Sequence, residues 1–164
     1  MQQYIGTKVI NAKPMNRGGY NKFRGWDLPA NENAEDEGYL VEYTDGGKPN
    51  IEGFSGYVSW SPKEQFDNAY RLTSSLSLGL AIEAMKKGLK VAREGWNGKG
   101  MFLYYVPANA YPASRNTLET LKGMFENDMV PYGAYIAMKT AQNNVVPWLA
   151  SQTDMLADDW RIVE

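Results

Sequence analysis

Two residue types that could carry chemistry are missing from this sequence. The 164-residue chain contains no cysteine and no histidine, which excludes disulfides, thiol nucleophiles, Cys/His zinc sites and imidazole bases. Catalysis would need carboxylates, lysine or tyrosine. The adjacent Asp158 and Asp159 lie at the start of a predicted strand, where neighbouring residues point to opposite faces, so they cannot act together on one substrate or make a strong metal site. We interpret them as the solvated start of a strand, and we predict no catalytic residue, metal site or cofactor.

The segment WNGKG at 96 to 100 has the composition of a turn that contacts a ligand. It places the indole of Trp96 beside Asn97, which can both donate and accept hydrogen bonds, and Gly98, where the backbone can approach a ligand closely. One interpretation is a contact to adenine or ribose, with Trp96 stacking on the base. The alternative is a hairpin turn in which Trp96 covers the core.

The segment MFLYYV at 101 to 106 is apolar or aromatic on both sides of a predicted strand. Alternation places Phe102, Tyr104 and Val106 on one face, and Met101, Leu103 and Tyr105 on the other. A sheet face exposed to solvent would not need such residues. Burial under a partner subunit or around a ligand explains them, and burial under the loop 107 to 131 is the alternative.

The run WLASQTDMLADDW at 148 to 160 predicts a short helical turn capped by Ser151 and Asp154. Unpaired N–H groups at such a turn can bind phosphate, but the Asp154 carboxylate would occupy the same positive end and repel an anion. Asp154 is therefore either an acceptor for ribose hydroxyls or a capping residue. The nearest cations for a pyrophosphate are Lys99, Lys139 and Arg161, and scattered surface charge explains each of them as well.

Residues 1 to 73 predict a compact β-α-β-β-α unit with three strands. The first strand is expected from Tyr4 to Ala12, with Pro14 as its stop. An acidic, turn-rich loop at 27 to 37 then precedes strands at 38 to 43 and 56 to 60.

A helix is predicted to close this unit, because Ser61 can cap it, Pro62 suits the first helical position and Glu64 can return a bond to the cap. It should end near residue 70 and face the sheet through Phe66, Ala69 and Tyr70. The domain boundary is predicted within TSSLS at 73 to 77, which divides the chain into domains 1–73 and 74–164.

Residues 74 to 164 open with an amphipathic helix, whose apolar stripe is Leu78, Ile82, Met85 and Leu89 and whose C-terminal cap is Gly88. A second helix is predicted from a capping box of Asn116 and Glu119, with Leu118, Leu121 and Phe125 on its apolar side. Strands are predicted at 91–96, 101–106, 133–140, 145–148 and 159–163. The expected fold class is α+β, with two small units that are each an antiparallel sheet with helices packed on one face.

Composition indicates an ordinary globular protein, with 43% hydrophobic and 22% charged residues. Eight Lys/Arg face ten Asp/Glu over residues 1 to 73, and nine face nine over the remainder, so no basic face predicts DNA or RNA binding. No apolar run approaches the ~20 residues that cross a bilayer, and the N-terminus lacks a signal pattern. We therefore expect no membrane partner and a soluble, cytoplasmic protein.

The C-terminal half resembles the second type of phage Thoeris anti-defence protein, a family of small sponges for immune signalling nucleotides. The resemblance rests on the amphipathic helix followed by KVAREGWNGKGMFL at 90 to 103, YIAMKTA at 135 to 141 and VPWLASQTDMLADDWRIV at 146 to 163, in the family's order. It implies a homotetramer, with pockets between protomers, that binds cyclic ADP-ribose variants made by TIR-domain enzymes without cleaving them. Some members also hold cyclic dinucleotides.

Placed on these blocks, the predicted ligand-binding residues are Trp96, Asn97, Gly98, Phe102, Tyr104, Tyr135, Trp148, Ser151, Gln152, Thr153 and Asp154. The N-terminal half resembles a phage-associated domain without a known function, through YIGTKVINAKPM, GYLVEY and GYVSWSPKEQFDNAYR. Two other functions remain open. They are a structural or interaction protein of a phage, and a carboxylate-dependent hydrolase of cyclic nucleotides.

Overall fold

A computed structural model describes residues 1–113 and 118–164 of the chain. The chain divides into two compact units, unit 1 (Met1–Arg71) and unit 2 (Leu72–Glu164). The division falls just before the segment 73–77, and independent folding of the two units stays a prediction. Within the described ranges, no helix has the length and apolar character needed to cross a bilayer.

Unit 1 is a three-stranded antiparallel sheet with two helices. Its elements are β1 (Ile10–Pro14), α1 (Arg17–Arg24), β2 (Gly38–Tyr43), β3 (Tyr57–Pro62) and α2 (Lys63–Ala69), and the strands lie in the order β1-β2-β3. The sequence pattern did not locate α1. This helix begins because Asn16 accepts a hydrogen bond from the N–H of Gly19 at 2.8 Å, and it ends at Gly25, whose φ is 68°.

The two helices of unit 1 lie against opposite faces of the sheet. Tyr20 of α1 packs with Leu40 and Val58, whereas Phe66 of α2 stacks on Tyr39 with ring centroids 4.0 Å apart. The α+β class with antiparallel sheets is confirmed, but the one-face arrangement does not describe this unit. The reason is that β2 buries apolar side chains on both of its faces, so both need a cover.

The first predicted strand was wrong in its position. Antiparallel pairing of β1 with β2 begins at Ile10, which lies opposite Tyr43, the last residue of β2. Residues before Ile10 therefore have no pairing partner in β2, and Ile5 is fully exposed. The predicted start of α2 was also wrong. Ser61 and Pro62 remain in β3, paired with Tyr39 and Gly38, and Pro62 precedes the helix without a side-chain cap.

The prediction of which α2 residues face the sheet was correct only in part. Phe66 and Tyr70 are half-buried towards the sheet, whereas Ala69 is exposed, so its placement on the buried face was wrong. A seven-residue helix has room for a narrow buried stripe only, and the two aromatic residues four apart fill it.

Unit 2 is built on a five-stranded antiparallel sheet in the order β10-β4-β5-β8-β9. A separate two-stranded ribbon pairs β6 with β7, inside the segment 107–131 that was expected to be a loop. The strands are β4 (Lys90–Arg93), β5 (Phe102–Val106), β6 (Asn109–Pro112), β7 (Met129–Tyr132), β8 (Tyr135–Lys139), β9 (Val145–Pro147) and β10 (Trp160–Val163). The helices are α3 (Leu78–Lys86), α4 (Leu118–Leu121) and α5 (Gln152–Met155), with a single 3-10 turn at Glu126–Asp128.

Helix α3 covers one face of this sheet and forms the core with it. The predicted amphipathic helix is confirmed, with Ser77 as its N-cap and Gly88, at φ 86°, just beyond its C-cap. Buried side chains of the helix and sheet meet in one cluster: Leu76, Ala81, Ala84, Met85, Val91, Leu103 and Trp160.

The second predicted helix of unit 2 is a single turn. Phe125 lies beyond the end of α4, and Asn116, the expected cap, lies outside the described residues. Strand β4 stops at Arg93 instead of continuing to Trp96, because residues 94–95 form a turn.

We predict that residues 72–164 fold when produced alone, and that residues 75–164 fold less stably. The shorter fragment lacks the hydrogen bond from the N–H of Ile162 to the carbonyl of Thr73, at 2.9 Å, which is worth about 1 kcal/mol. Urea unfolding of both fragments, followed by tryptophan fluorescence, measures the difference. If neither fragment folds, the division into two independent units is wrong.

Candidate ligand-binding site

The polar centre of unit 2 is the guanidinium of Arg93 at the end of β4. Its Nη1 lies 3.0 Å from Oδ1 of Asp154, and its Nε lies 2.8 Å from Oδ1 of Asp159. The second oxygen of Asp159 accepts the backbone N–H of Gly95 at 2.9 Å. Arg93 and Asp154 are each largely buried, with 14% of the side chain exposed. One arginine therefore joins β4, α5 and the start of β10.

Both carboxylates are held in the charged form. Burial alone would raise the pKa of Asp154, but hydrogen bonds from Ser151, Arg93 and Trp96 outweigh it and lower that pKa below its usual range. The Arg93 hydrogen bond lowers the pKa of Asp159, and Gly95 adds to this effect. Asp159 was predicted to be a solvated strand start, and that prediction was wrong because Arg93 reaches it from the neighbouring strand.

A cluster of three indole rings lies next to this polar centre and contacts it through Trp96 and Trp160. Trp160 is fully buried, and Trp96 and Trp148 pack edge-on against it, with ring centroids 5.4 and 5.8 Å away. The Nε1–H of Trp96 points at Oδ1 of Asp154 at 3.4 Å, and that of Trp160 donates to the Asp154 carbonyl at 3.0 Å. Trp96 thus packs against the core and is partly buried, and its contact with a ligand stays a prediction.

The predicted cap of α5 is present as a reciprocal capping box. Ser151 Oγ accepts the N–H of Asp154 at 3.1 Å, and Asp154 Oδ2 accepts from the N–H of Ser151 at 3.1 Å. Arg93 and Trp96 donate to the other oxygen of Asp154, so both of its carboxylate oxygens accept hydrogen bonds. It is a capping residue, and Gln152 and Thr153 are exposed beside it.

The opposite face of the sheet from α3, which we call the far face, carries a second set of aromatic residues. Strand alternation and the register place Phe102 beside Lys139, Tyr104 beside Ala137 and Val106 beside Tyr135. Phe102 and Tyr104 are half-buried, and Tyr135 is 40% exposed. The far face therefore presents aromatic rings that are in part accessible.

Two lysines flank the Phe102 ring on the far face. The Nζ of Lys90 lies 5.5 Å from the ring centroid, and the Nζ of Lys139 lies 6.0 Å from it. Lys139 also donates to the carbonyl of Gly100 at 3.0 Å. Lys90 was missed by the sequence reasoning, although alternation from the apolar Val91 would have placed it on this face.

The predicted ligand-binding residues thus separate into two groups. The α3 side holds Trp96 and Trp148, with Ser151, Gln152, Thr153 and Asp154 beside them, whereas the far face holds Phe102, Tyr104 and Tyr135. Within one chain the sheet separates the two groups. Asn97 and Gly98 lie in the turn between β4 and β5, where a Cβ at Gly98 would lie 2.0 Å from the Met101 sulfur and would displace that side chain.

The cations named from sequence differ in their partners. Lys139 lies on the far face, and Lys99 is exposed in the turn. Arg161 pairs with Glu94, with Nε 3.0 Å from Oε2, so its charge is compensated. Within residues 1–113 and 118–164, no group of three or more acidic side chains is placed to hold a metal ion.

These features define a small α+β domain, with a tryptophan-lined core on one side of a sheet and an aromatic, lysine-flanked surface on the other. A model of the Thoeris anti-defense 2-like domain matches residues 76–163, which cover most of unit 2. The protein named Thoeris anti-defense 2 from Bacillus phage SP01 is 40% identical over 92 residues, which span 56% of this chain and 99% of that protein. The chain belongs to the family of Thoeris anti-defense 2-like domains through its C-terminal half.

We predict that Arg93→Met lowers the stability of unit 2 by about 2–4 kcal/mol at neutral pH, because two carboxylates lose their counter-ion. The pKa values of both aspartates are lower in the folded protein than in the unfolded chain. Their contribution to the stability of the fold is therefore complete above the unfolded-state pKa, and it is lost as the pH falls through the folded-state pKa. The difference between wild type and variant should therefore shrink below about pH 4.

Urea unfolding across the acid range measures this effect, and Arg161→Met is the matched control. Its ion pair with Glu94 is exposed, so the loss should stay below about 1 kcal/mol. Equal losses in the two variants, or a constant difference at all pH values, would contradict the role given to Arg93.

Proposed function

We propose that this protein binds a cyclic nucleotide immune signal, either a cyclic ADP-ribose variant or a cyclic dinucleotide, and sequesters it without cleavage in the cytoplasm of the infected bacterium. Membership in the Thoeris anti-defense 2-like family supports a role against bacterial anti-phage defence. The observation that supports nucleotide binding is the far face, where accessible aromatic rings stand between two lysines.

The far face combines the two interactions that a cyclic nucleotide offers. A purine base presents a flat π surface, and stacking on an aromatic side chain is worth ~1–3 kcal/mol per base. The pyrophosphate or phosphodiester groups carry negative charge, for which Lys90 and Lys139 supply ammonium groups on both sides of Phe102. Within the described part of the chain, neither lysine forms an ion pair with a carboxylate, so their charge is available to an anion.

The acidic groups of unit 2 favour sequestration over hydrolysis, because they are engaged in ion pairs and hydrogen bonds. Asp154 and Asp159 are the carboxylates nearest the tryptophan cluster, and both are occupied by Arg93 and by backbone or side-chain donors. A carboxylate whose pKa is lowered by such bonds is a poor general base. The sequence also supplies no histidine or cysteine to replace it.

We expect the protein to release its ligand chemically unchanged. The purified chain is incubated with cyclic ADP-ribose or a cyclic dinucleotide, separated from free ligand and heated, and the released compound is identified by chromatography. Release of an altered nucleotide would indicate a hydrolase instead. No retention of either compound would leave an interaction protein as the remaining function.

Lys90→Gln and Lys139→Gln should each weaken binding about three- to tenfold, because each removes one charge-assisted contact of about 1 kcal/mol. Each variant should also reduce the dependence of affinity on salt. Lys87→Gln is the control, since it removes the same charge from the exposed end of α3, on the other side of the sheet. Calorimetric titration at two salt concentrations decides the question, and equal affinities in all three variants would exclude the far face.

We further propose that unit 2 associates with copies of itself, as a homotetramer. Its edge strand β9 exposes Val145 and Val146 by 56% and 41%, although they point to opposite faces of the sheet. Leu149 and Leu156 are 92% and 79% exposed in the following segment. Exposed apolar residues so close in sequence favour burial by a partner, and such a partner could complete a pocket with the far face.

Light scattering of the full chain at low micromolar concentration should give an assembly larger than the monomer. Val146→Glu with Leu149→Glu should shift it towards the monomer, because a buried carboxylate without a partner costs several kcal/mol. A control pair on unit 1, Glu35→Gln with Glu52→Gln, should leave the assembly intact. A monomeric wild type that binds ligand tightly would show that the pocket lies within one chain.

A further inference from the structure

The turn that joins β4 to β5 contains a chemically labile bond. The sequence has one Asn-Gly dipeptide, Asn97-Gly98, and it lies in this turn, where Asn97 is exposed and Gly98 is half-buried. We propose that Asn97 deamidates spontaneously in the folded protein, and that the new carboxylate weakens ligand binding at the neighbouring far face. The second part rests on the proposed function, whereas the first does not.

The reaction requires no partner beyond water. The backbone nitrogen of Gly98 attacks Cγ of Asn97, the new N–Cγ bond closes a five-membered succinimide, and the side-chain nitrogen leaves as ammonia with the amide proton. Water then opens the ring at either carbonyl and yields aspartate or isoaspartate. One water is consumed, one ammonia is released, and no atom is oxidised or reduced.

Neither of the two reacting groups is held in place by a hydrogen bond. Among the described residues, the Asn97 side chain makes no hydrogen bond, and the N–H of Gly98 donates none to the backbone. A glycine after the asparagine places no Cβ next to the attacking nitrogen, so the approach is not hindered. Asn97 and Gly98 lie between β4 and β5, so the hydrogen bonds of the sheet do not hold their backbone.

Three other asparagines of the chain are held by their side-chain hydrogen bonds. Asn16 accepts from the N–H of Gly19, Asn50 both donates to and accepts from the backbone of Val58, and Asn21 is buried and donates to the carbonyl of Asp27. Each of these side chains is held in one orientation. Each also precedes a residue with a Cβ, so attack is slower there as well.

The position of the turn connects this chemistry to binding. Gly100, in the same turn, accepts a hydrogen bond from Lys139 at 3.0 Å, and Lys139 flanks Phe102 on the far face. A carboxylate at position 97 lowers the positive potential around Lys139 and makes the formal net charge of −2 one unit more negative. Because solvent screens the new carboxylate, the expected loss of affinity for an anion is small, about two- to threefold.

The test of the modification follows one peptide over time. The full-length protein is incubated at mildly alkaline pH and digested with trypsin, which cuts after Arg93 and Lys99 and releases the peptide of residues 94–99. We expect aspartate and isoaspartate forms of this peptide to accumulate, together with a more acidic form of the intact chain. Asn97→Gln is the control and should give neither. It is preferred to Gly98→Ala, whose Cβ would force the Met101 side chain to move.

The synthetic peptide EGWNGK, incubated in parallel, gives the rate without a fold. If the free peptide deamidates while the folded protein stays intact at Asn97, the turn protects the bond and the proposal is wrong.

The consequence for binding is tested with Asn97→Asp and cyclic ADP-ribose as the probe. Affinity should fall about two- to threefold at low salt and approach that of wild type at high salt, because the effect is electrostatic. Equal affinity at low salt would overturn the link to binding. If wild type binds neither this probe nor a cyclic dinucleotide, the proposed function fails, whereas the deamidation of Asn97 is judged by the peptide alone.

Discussion

The ion pairs of Arg93 with Asp154 and Asp159 hold together parts of unit 2 that are far apart in the sequence. Arg93 ends β4, whereas the two aspartates lie 61 and 66 residues later, in α5 and just before β10. Removing three charged groups partly or largely from water costs free energy, which is offset only when each group has its ion-pair partner and its remaining hydrogen bonds. The short helix α5 and the connection into β10 are therefore fixed in position relative to the sheet. The tryptophan cluster depends on this, because Trp96 and Trp160 both donate to Asp154.

A consequence of this arrangement is that the two sides of the unit 2 sheet have different roles. The α3 side uses its aromatic residues to fill a core around Trp160, and its carboxylates are occupied by Arg93 and Ser151. The far face has aromatic rings and lysines whose groups are not occupied in this way. A ligand site needs side chains with unused surface and unused charge, so the far face is the better candidate. The buried side supplies the rigidity that keeps its strands in register.

Unit 1 shows a different solution to the covering of a small sheet. Its three strands have a helix on each face, and its outer strand β3 is shielded by a side chain. Asn50 exchanges two hydrogen bonds with the backbone of Val58 in β3, at 2.7 and 2.8 Å, as a neighbouring strand would. Glu42 accepts from Ser55 and Gly56 and so fastens the loop before β3. Such bonds explain why a sheet of three short strands can be well ordered without an extensive core.

Local signals in the sequence determined the elements that depend only on neighbouring residues. The stripe and caps of α3, the capping box of α5 and the strands β2, β5, β8, β9 and β10 all follow from hydrogen bonds or alternation within a few positions. The absence of histidine and cysteine likewise limits the chemistry that either unit can perform, whatever its fold. The resemblance in the C-terminal half identified the family, which no local rule could have done.

Only the tertiary structure decided which of these elements meet, and therefore which side chains remain available. Pairing with β2 kept Ser61 in a strand, although its sequence predicts a helix cap, and the end of β2 at Tyr43 set the start of β1. Contact with Arg93 turned Asp159 from a solvated residue into a half-buried partner. The β6–β7 ribbon also escaped prediction, because its pairing joins residues on either side of a long connection. In each case the deciding contact lies far away in sequence, and short-range patterns carry no information about the free energy of such contacts.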